Sequence, residues 1–428
     1  MPRTRSNVLS CLSVAAFGVF LVACGSQQAG GNSTATGGKL SGDAGNETAG
    51  NSTGGQGNPA AGGGQVNASG GASAGASAGG SAGTKPGGTA GEPTGDAGAG
   101  ATDEQGIPDD ATVVLFFIDG LQTATIQTGI ANGATNIKFL LDNGVTAQTM
   151  NTTSPATRAA LADGSLPWGN ATSGNVAAHT GTHLFESSQM DDIFLAAKAA
   201  GIKSVYAGGD ANYSVFTTAD FHYSGMLSDA EVVQDAIDRL KSDHVRLIRV
   251  HLQRIRDFWD GPSSETTASS PYIQHLIEAD GLLGTLRKAL EDEGVWNHTY
   301  VLLSSDHGMG AVGGGEHPPS VLSSWKNVLT VYGPGIKKAA TIPYAETPDV
   351  PVLAAHLLKL APLKGHTDTA VTLTHKGATG TLLSNVFEGA PTELAHPRYI
   401  EKYLSTGTYT GSADSFADYR LAMLKILQ

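Results

Sequence analysis

Ser304-Ser305-Asp306-His307-Gly308-Met309-Gly310 follows an apolar run, Tyr300-Val301-Leu302-Leu303, and its reading decides the fold. The run reads as a buried strand that ends abruptly in an adjacent carboxylate and imidazole. Both side chains arrive at a strand's carboxyl end, where open α/β sheets place their ligands. Carboxylate oxygen and imidazole nitrogen together make half of a metal site. A capped strand end with a surface Asp and His would need no counterpart elsewhere, but a counterpart lies upstream. Thr112 to Ile118 is the strongest strand in the chain, apolar almost without interruption, as in a strand buried on both faces of a parallel sheet. It ends in Asp119-Gly120, a carboxylate beside a residue that permits close backbone approach.

Between and beyond these two strand ends, helical and extended patterns alternate. Helices are predicted near Asn136–Asn143 and over Ile193–Ala200, Ala230–Lys241, Ile273–Glu293 and Val350–Leu360. Strands are predicted near Val145–Met150 and over Lys203–Ala207, Val245–Leu252 and Asn327–Tyr332. The alternation implies an α/β fold, a mostly parallel central sheet with helices on both faces. Edge strands over Val371–Leu373 and Thr381–Val386 and a closing helix near Phe416–Leu427 complete the reading, with no chemistry attached to them.

After the second strand comes Asn151-Thr152-Thr153-Ser154-Pro155-Ala156-Thr157-Arg158, a hydroxyl-rich turn leading into a helix start. Free amides and the dipole at a helix amino end favour an oxyanion there, and Arg158 could offer its fork to the same group. A plain Ser/Thr cap with a surface Arg is the simpler reading of this turn alone. Gly308, Gly310 and Gly313 spell GxGxxG after a strand. The helix that a dinucleotide site requires is precluded by Gly314, Gly315, Pro318 and Pro319. His179 and His183 have ligand-like spacing but read as loop-lining residues.

Taken in order, strand–Asp119, the Thr/Ser turn with Arg158, strand–Asp306–His307 and Gly315-Glu316-His317 resemble the alkaline phosphatase superfamily, including its phosphodiesterase and sulfatase branches. The resemblance covers roughly residues 113–360. It implies that Asp119, Asp306 and His307 hold a divalent metal that also contacts the nucleophile oxygen. Thr153-Ser154-Pro155 matches the phosphodiesterase pattern with Thr153 as nucleophile, and Ser154 to Arg158 matches the sulfatase pattern with Ser154. Two-metal members carry Asp-x-x-x-His after the strand corresponding to Val245–Leu252. This chain reads His251-Leu252-Gln253-Arg254-Ile255-Arg256-Asp257-Phe258-Trp259-Asp260 instead. Either Asp257 or Asp260 joins His317 in a rebuilt second site, or one ion suffices and Arg254 or Arg256 supplies the second cation. The expected cofactor is therefore one or two divalent ions, zinc foremost, with calcium, manganese or magnesium as the other candidates.

The amino end implies export. Arg3 and Arg5 precede an apolar run that ends in Leu21-Val22-Ala23-Cys24, which resembles a bacterial lipobox. That resemblance implies cleavage before Cys24 and a lipid on its thiol. Cys11 and Cys24 both lie in this leader, so the body has no disulfide and no thiol nucleophile. Residues 25–105 are Gly, Ala, Ser, Thr and Asn with hardly a branched apolar side chain, the composition of a flexible tether. Residues 106–428 suit one catalytic domain. The net charge of −13, from 26 basic and 39 acidic residues, argues against a grip on nucleic acid. The expected partners are a small-molecule or glycan phosphate or sulfate ester and, through the lipid, the membrane. The expected place is extracytoplasmic, at the outer membrane, periplasm or cell surface. A phosphate mono- or diester hydrolase, a Ser-type sulfatase and a binding protein on a decayed hydrolase fold all remain open at this point.

Overall fold

The computed structural model describes residues 106–155, 174–183, 192–209, 218–224, 228–265, 267–363 and 378–407, with isolated positions beyond. These fall in the larger of two units, Thr94–Gln428. Cys24, the stretch 25–105, Arg158 and the strand expected over Val371–Leu373 lie outside the described residues, as does most of the closing helix.

Among the described residues nine strands form the sheet: β1 (Thr112–Ile118), β2 (Val145–Asn151), β3 (Ser204–Gly208), β4 (Phe221–Ser224), β5 (Leu247–Leu252), β6 (Thr299–Ser304), β7 (Lys326–Asn327), β8 (Leu329–Tyr332) and β9 (Ala340–Glu346). The spatial order is β4-β3-β5-β1-β6-β8-β2-β7, with β9 paired to β2. From β4 to β6 all pairs are parallel, as is β2 with β9, while β8 runs antiparallel to both β6 and β2. The carboxyl ends of β1, β2, β5, β6 and β9 therefore share one edge.

Alternation along β1 explains the layering. Val113, Leu115 and Phe117 enter one core, with α4 (Ile193–Ala199) and α8 (Asp349–Leu357). Val114, Phe116 and Ile118 enter the other, with α2 (Thr135–Asn143), α5 (Asp229–Asp243) and α7 (Pro271–Asp292). All six side chains are fully buried, and burial of each contributes about 1.5–3 kcal/mol. The helix starts are set by local chemistry. Ser228 and Glu231 form a capping box at α5, and Ser270 caps α7 ahead of Pro271.

Besides α1 (Thr123–Ala131), β4, α6 (Arg254–Asp257) and α9 (Tyr399–Ser405), which the sequence reading does not include, four elements depart from it. The strand expected over Asn327–Tyr332 is split into β7 and β8, because the Asn327 side chain accepts from the amides of Ser305 and Val328. Thr381–Val386 is not a strand. Its first amide is spent on the Asp349 carboxylate, and a 3-10 turn covers Ser384–Val386. β9 escaped notice because Pro343 interrupts its pattern, and its place beside β2 alone tolerates that proline. His179 lies in the helix α3 (Gly174–Thr180), not on a loop, and the adjoining His183 is buried against Glu346.

Candidate active site

Asp119, Asp306 and His307 converge at the carboxyl edge between β1 and β6. Each offers a ligand atom within 4.8 Å of the others, and all three are buried. Parallel pairing of β1 with β6 sets Phe117 beside Ser304, which brings the two strand ends level. The loops beyond are locked together. The Leu121 amide donates to Ser305 Oγ at 3.1 Å, and Ser305 Oγ donates to the His307 carbonyl at 2.7 Å. Tyr272 of α7 accepts from the Gln122 amide and donates to the Gly120 carbonyl. Gly120 has φ +70°, and a Cβ there would stand 2.4 Å from the Met309 sulfur, so only glycine fits.

The protonation of His307 follows from its partner. Nδ1 lies 2.8 Å from the Gly308 carbonyl, which can only accept, so Nδ1 carries the hydrogen. Nε2 of the neutral ring then presents a lone pair. It makes no hydrogen bond and lies 3.3 Å from Asp119 Oδ1 and 3.4 Å from Asp306 Oδ2. A buried imidazole whose outer nitrogen is anchored and whose inner nitrogen faces two carboxylates fits a divalent cation. Burial, more than any neighbour, pushes the Asp306 carboxyl up, against the pull of Arg256, of its own and the Gly120 amide, and of Arg249. Burial likewise lowers His307, with Asp119 acting in opposition.

Around this cluster stand four cation-bearing or polar side chains. Arg256, in the short helix α6 (Arg254–Asp257), places Nη1 3.1 Å from Asp119 Oδ2. Asn175 of α3 donates to Asp306 Oδ2 at 3.0 Å. The fully buried Arg249 donates in turn to the Asn175 carbonyl and side-chain oxygen, both at 3.2 Å, and stacks on Phe117 at 4.6 Å. His317 stacks on His307 with ring centroids 3.7 Å apart. Burial, then His307 and Arg256, push His317 down to about 2, with a hydrogen bond to the Pro155 backbone opposing, so the ring is neutral near pH 7.

The hydroxyl-rich turn meets the cluster where β2 ends. Thr152 Oγ1 donates to the Asp306 carbonyl, and the Thr152 amide donates to the Trp325 carbonyl. Thr153 and Ser154 are both buried in this turn. Arg158 lies outside the described residues. Asp257 and Asp260 are not drawn in. Asp257 is 57% exposed and pairs with Arg256, while Asp260 bridges to Gly313. Among the described residues the three-ligand group is the only one of its kind. Sequence reasoning passed over Asn175, Arg249 and His251, all buried near the cluster. Asn175 carries no motif, and the two β5 residues read as the polar face of an alternating strand.

Residues 228–337, from the start of α5 past the end of β8, match the family model for type I phosphodiesterase / nucleotide pyrophosphatase. No curated protein matches the chain. Among solved structures it is similar to murine ectonucleotide pyrophosphatase / phosphodiesterase 5 (14% identity, 59% of this chain and 96% of that one, TM-score 0.43). It is also similar to the phosphonate monoester hydrolase of Agrobacterium radiobacter (14% identity, 66% and 78%, TM-score 0.45). The sulfatase PsFucS1 from Pseudoalteromonas sp. is a third (13% identity, 58% and 67%, TM-score 0.44). The segment matched by the phosphodiesterase family model runs from α5 past β8 and carries Asp306 and His307, two of the three clustered residues.

Proposed function

We propose that the chain is a metal-dependent hydrolase of phosphate mono- or diesters, with the hydroxyl of Ser154 or Thr153 as nucleophile. The observation that carries this reading is the buried Asp119–Asp306–His307 cluster, set against the turn that bears both hydroxyls. A bound divalent ion, zinc foremost, would stabilise the alkoxide form of a hydroxyl that is a weak nucleophile at neutral pH and would offset charge on the ester oxygens. The chain's own residues do the rest. Asn175 and Arg249 hold the Asp306 carboxylate in place. Arg256, with its side chain 16% exposed at the cluster, can turn donors toward an oxyanion of the ester, and Arg158 is proposed to offer a second fork. The nucleophile oxygen bonds phosphorus as the bond to the alcohol breaks. The nucleophile's proton passes to solvent and the departing alkoxide takes one up from solvent; water then attacks phosphorus, breaking the bond to the enzyme oxygen, which recovers its proton.

One ion with Arg256 as the second cation is the arrangement this site supports best, since Asp257 and Asp260 stand apart from the cluster. The same single cluster favours one further reading, a Ser-type sulfatase in which Ser154 is oxidised to formylglycine. We place the enzyme outside the cytoplasm, held to the membrane by a lipid on Cys24 through the tether of residues 25–105, with the catalytic domain beginning near residue 106. Replacement of Cys24 by Ser should release it from the membrane fraction, and unchanged sedimentation with membranes would refute the anchor.

The deciding experiment takes the whole chain purified without added metal. Bound metal is counted, and turnover of an aryl phosphate, a bis-aryl phosphate and an aryl sulfate is measured on the same sample. One ion per chain with phosphate ester turnover is the expected result. Sulfate turnover with a Ser154 peptide lighter by two hydrogens moves the assignment to the sulfatase reading. No metal and no turnover on any ester refutes both.

A further inference from the structure

The sequence resemblance names three ligands, but a fourth group faces the same point. His251 is the penultimate residue of β5 and is fully buried. Its register partner on β1 is Phe117, two residues before Asp119. Its Nε2 lies 3.9 Å from Asp119 Oδ2 and 4.0 Å from Asp306 Oδ2. Those distances are too long for hydrogen bonds. They are close to what a shared ion imposes. Ligand atoms about 2.0–2.2 Å from one tetrahedral zinc stand about 3.3–3.6 Å from each other. His307 Nε2 already meets that spacing at 3.3 and 3.4 Å from the same two carboxylates. His251 stands just outside the three-residue group whose ligand atoms all lie within 4.8 Å of one another, so a side-chain shift toward the shared point on metal binding would complete the set.

We propose that His251 is a further ligand of the metal, so that two carboxylates and two imidazoles hold a single ion. This rests on the metal-dependent reading above and sharpens it. A mixed nitrogen and oxygen set suits zinc, whereas calcium and magnesium take oxygen ligands. It also gives a reason for the altered text after β5. The Asp-x-x-x-His expected beyond the strand is missing, an imidazole appears inside the strand end, and Arg256 stands at Asp119 Oδ2. One consolidated ion and one guanidinium take the place of two ions. A histidine placed only to pack the core would not need to aim one nitrogen between two carboxylates.

The test uses the full chain, stripped of metal and loaded with Co2+. X-ray absorption at the cobalt edge counts imidazole ligands, and a Co2+ titration gives the affinity. The wild type is expected to show two imidazoles. His251→Gln should lose one and weaken Co2+ binding by at least about tenfold, while His317→Gln should keep both. An unchanged imidazole count and affinity in His251→Gln would overturn the proposal while leaving the metal-dependent reading intact. Failure of the wild type to bind Co2+ would overturn both. Should His251→Gln not fold, His317→Gln decides alone: two imidazoles there support His251, and one overturns it.

Discussion

Arg256 Nη1 stands 3.1 Å from Asp119 Oδ2, on the carboxylate whose other oxygen faces His307. The guanidinium thus offsets charge at a site that gathers two buried carboxylates. Arg256→Ala should reduce kcat/KM by about 10²-fold, in the range lost with a single donor to developing charge. Metal affinity should hold or tighten, because Asp119 loses a competitor. The check is metal titration beside steady-state kinetics on one aryl ester. Metal binding that weakens in step with turnover would mean that Arg256 orients Asp119 and does not serve the substrate.

Asp306 is the most heavily committed of the three candidate ligands. It receives Asn175 and stands between His307 and β6, and burial opposes its charge. Without metal, an ionised Asp306 costs folding energy, so Asp306→Asn should melt higher than the wild type in chelator, by about 2–4 °C for each kcal/mol recovered. With metal present the order should reverse, since only the wild type gains binding energy. Activity should fall by more than about 10³-fold. Paired melts with and without metal check this, and a wild type that gains nothing from metal would defeat it.

The parts of this site that the sequence makes legible are those where pattern and chemistry break together. Asp119 and Asp306 each end an unbroken apolar run, so their cost is visible in one dimension. His251 is invisible for the opposite reason. It alternates with Ile248, Val250 and Leu252, and a polar residue at that period reads as a solvent face. In fact both Arg249 and His251 are fully buried, with Arg249 bonded to Asn175 of α3. Asn175 carries no pattern at all, because its role depends on where α3 lands. The C-terminal segment was similarly opaque. Its ties to the sheet combine hydrogen bonds to Glu346 and Asp349, each more than thirty residues away in sequence, with apolar packing of Ile400 and Tyr403 beside Trp325, and no periodicity betrays them.

Gly308 follows His307 directly and packs against the backbone of Ser323 and Lys326. A Cβ at this position would stand 2.2 Å from the Ser323 carbonyl oxygen and 2.4 Å from that of Lys326. Neither is the end of a flexible side chain, so the backbone must move. Gly308→Ala should destabilise the fold by about 1–3 kcal/mol and weaken metal binding, because the Gly308 carbonyl fixes the His307 tautomer. Denaturant titration and metal titration on the same variant test both effects. A stable variant with unaltered metal affinity would show that the loop yields freely.

A second polar cluster holds the segment around α9 (Tyr399–Ser405) to the sheet, and it should respond to pH. His396 Nε2 lies 2.7 Å from Asp349 Oδ2 with its side chain 3% exposed. Glu346 accepts from the Tyr344 hydroxyl and the Ile400 amide, and Arg398 stacks on Tyr344. Burial works to lower His396, but Asp349, with Glu346 adding, outweighs it and holds the ring above its ordinary value of 6.5. A raised folded-state value means that folding favours the protonated ring. Its contribution is therefore complete below about pH 6.5 and is lost as pH rises through the folded-state value. His396→Gln should cost about 1–3 kcal/mol at pH 6, the scale of a charge-assisted hydrogen bond, and much less at pH 9. Unfolding of both proteins at the two pH values measures the difference. An equal penalty at pH 6 and pH 9 would mean that His396 acts by packing alone, with its proton playing no part.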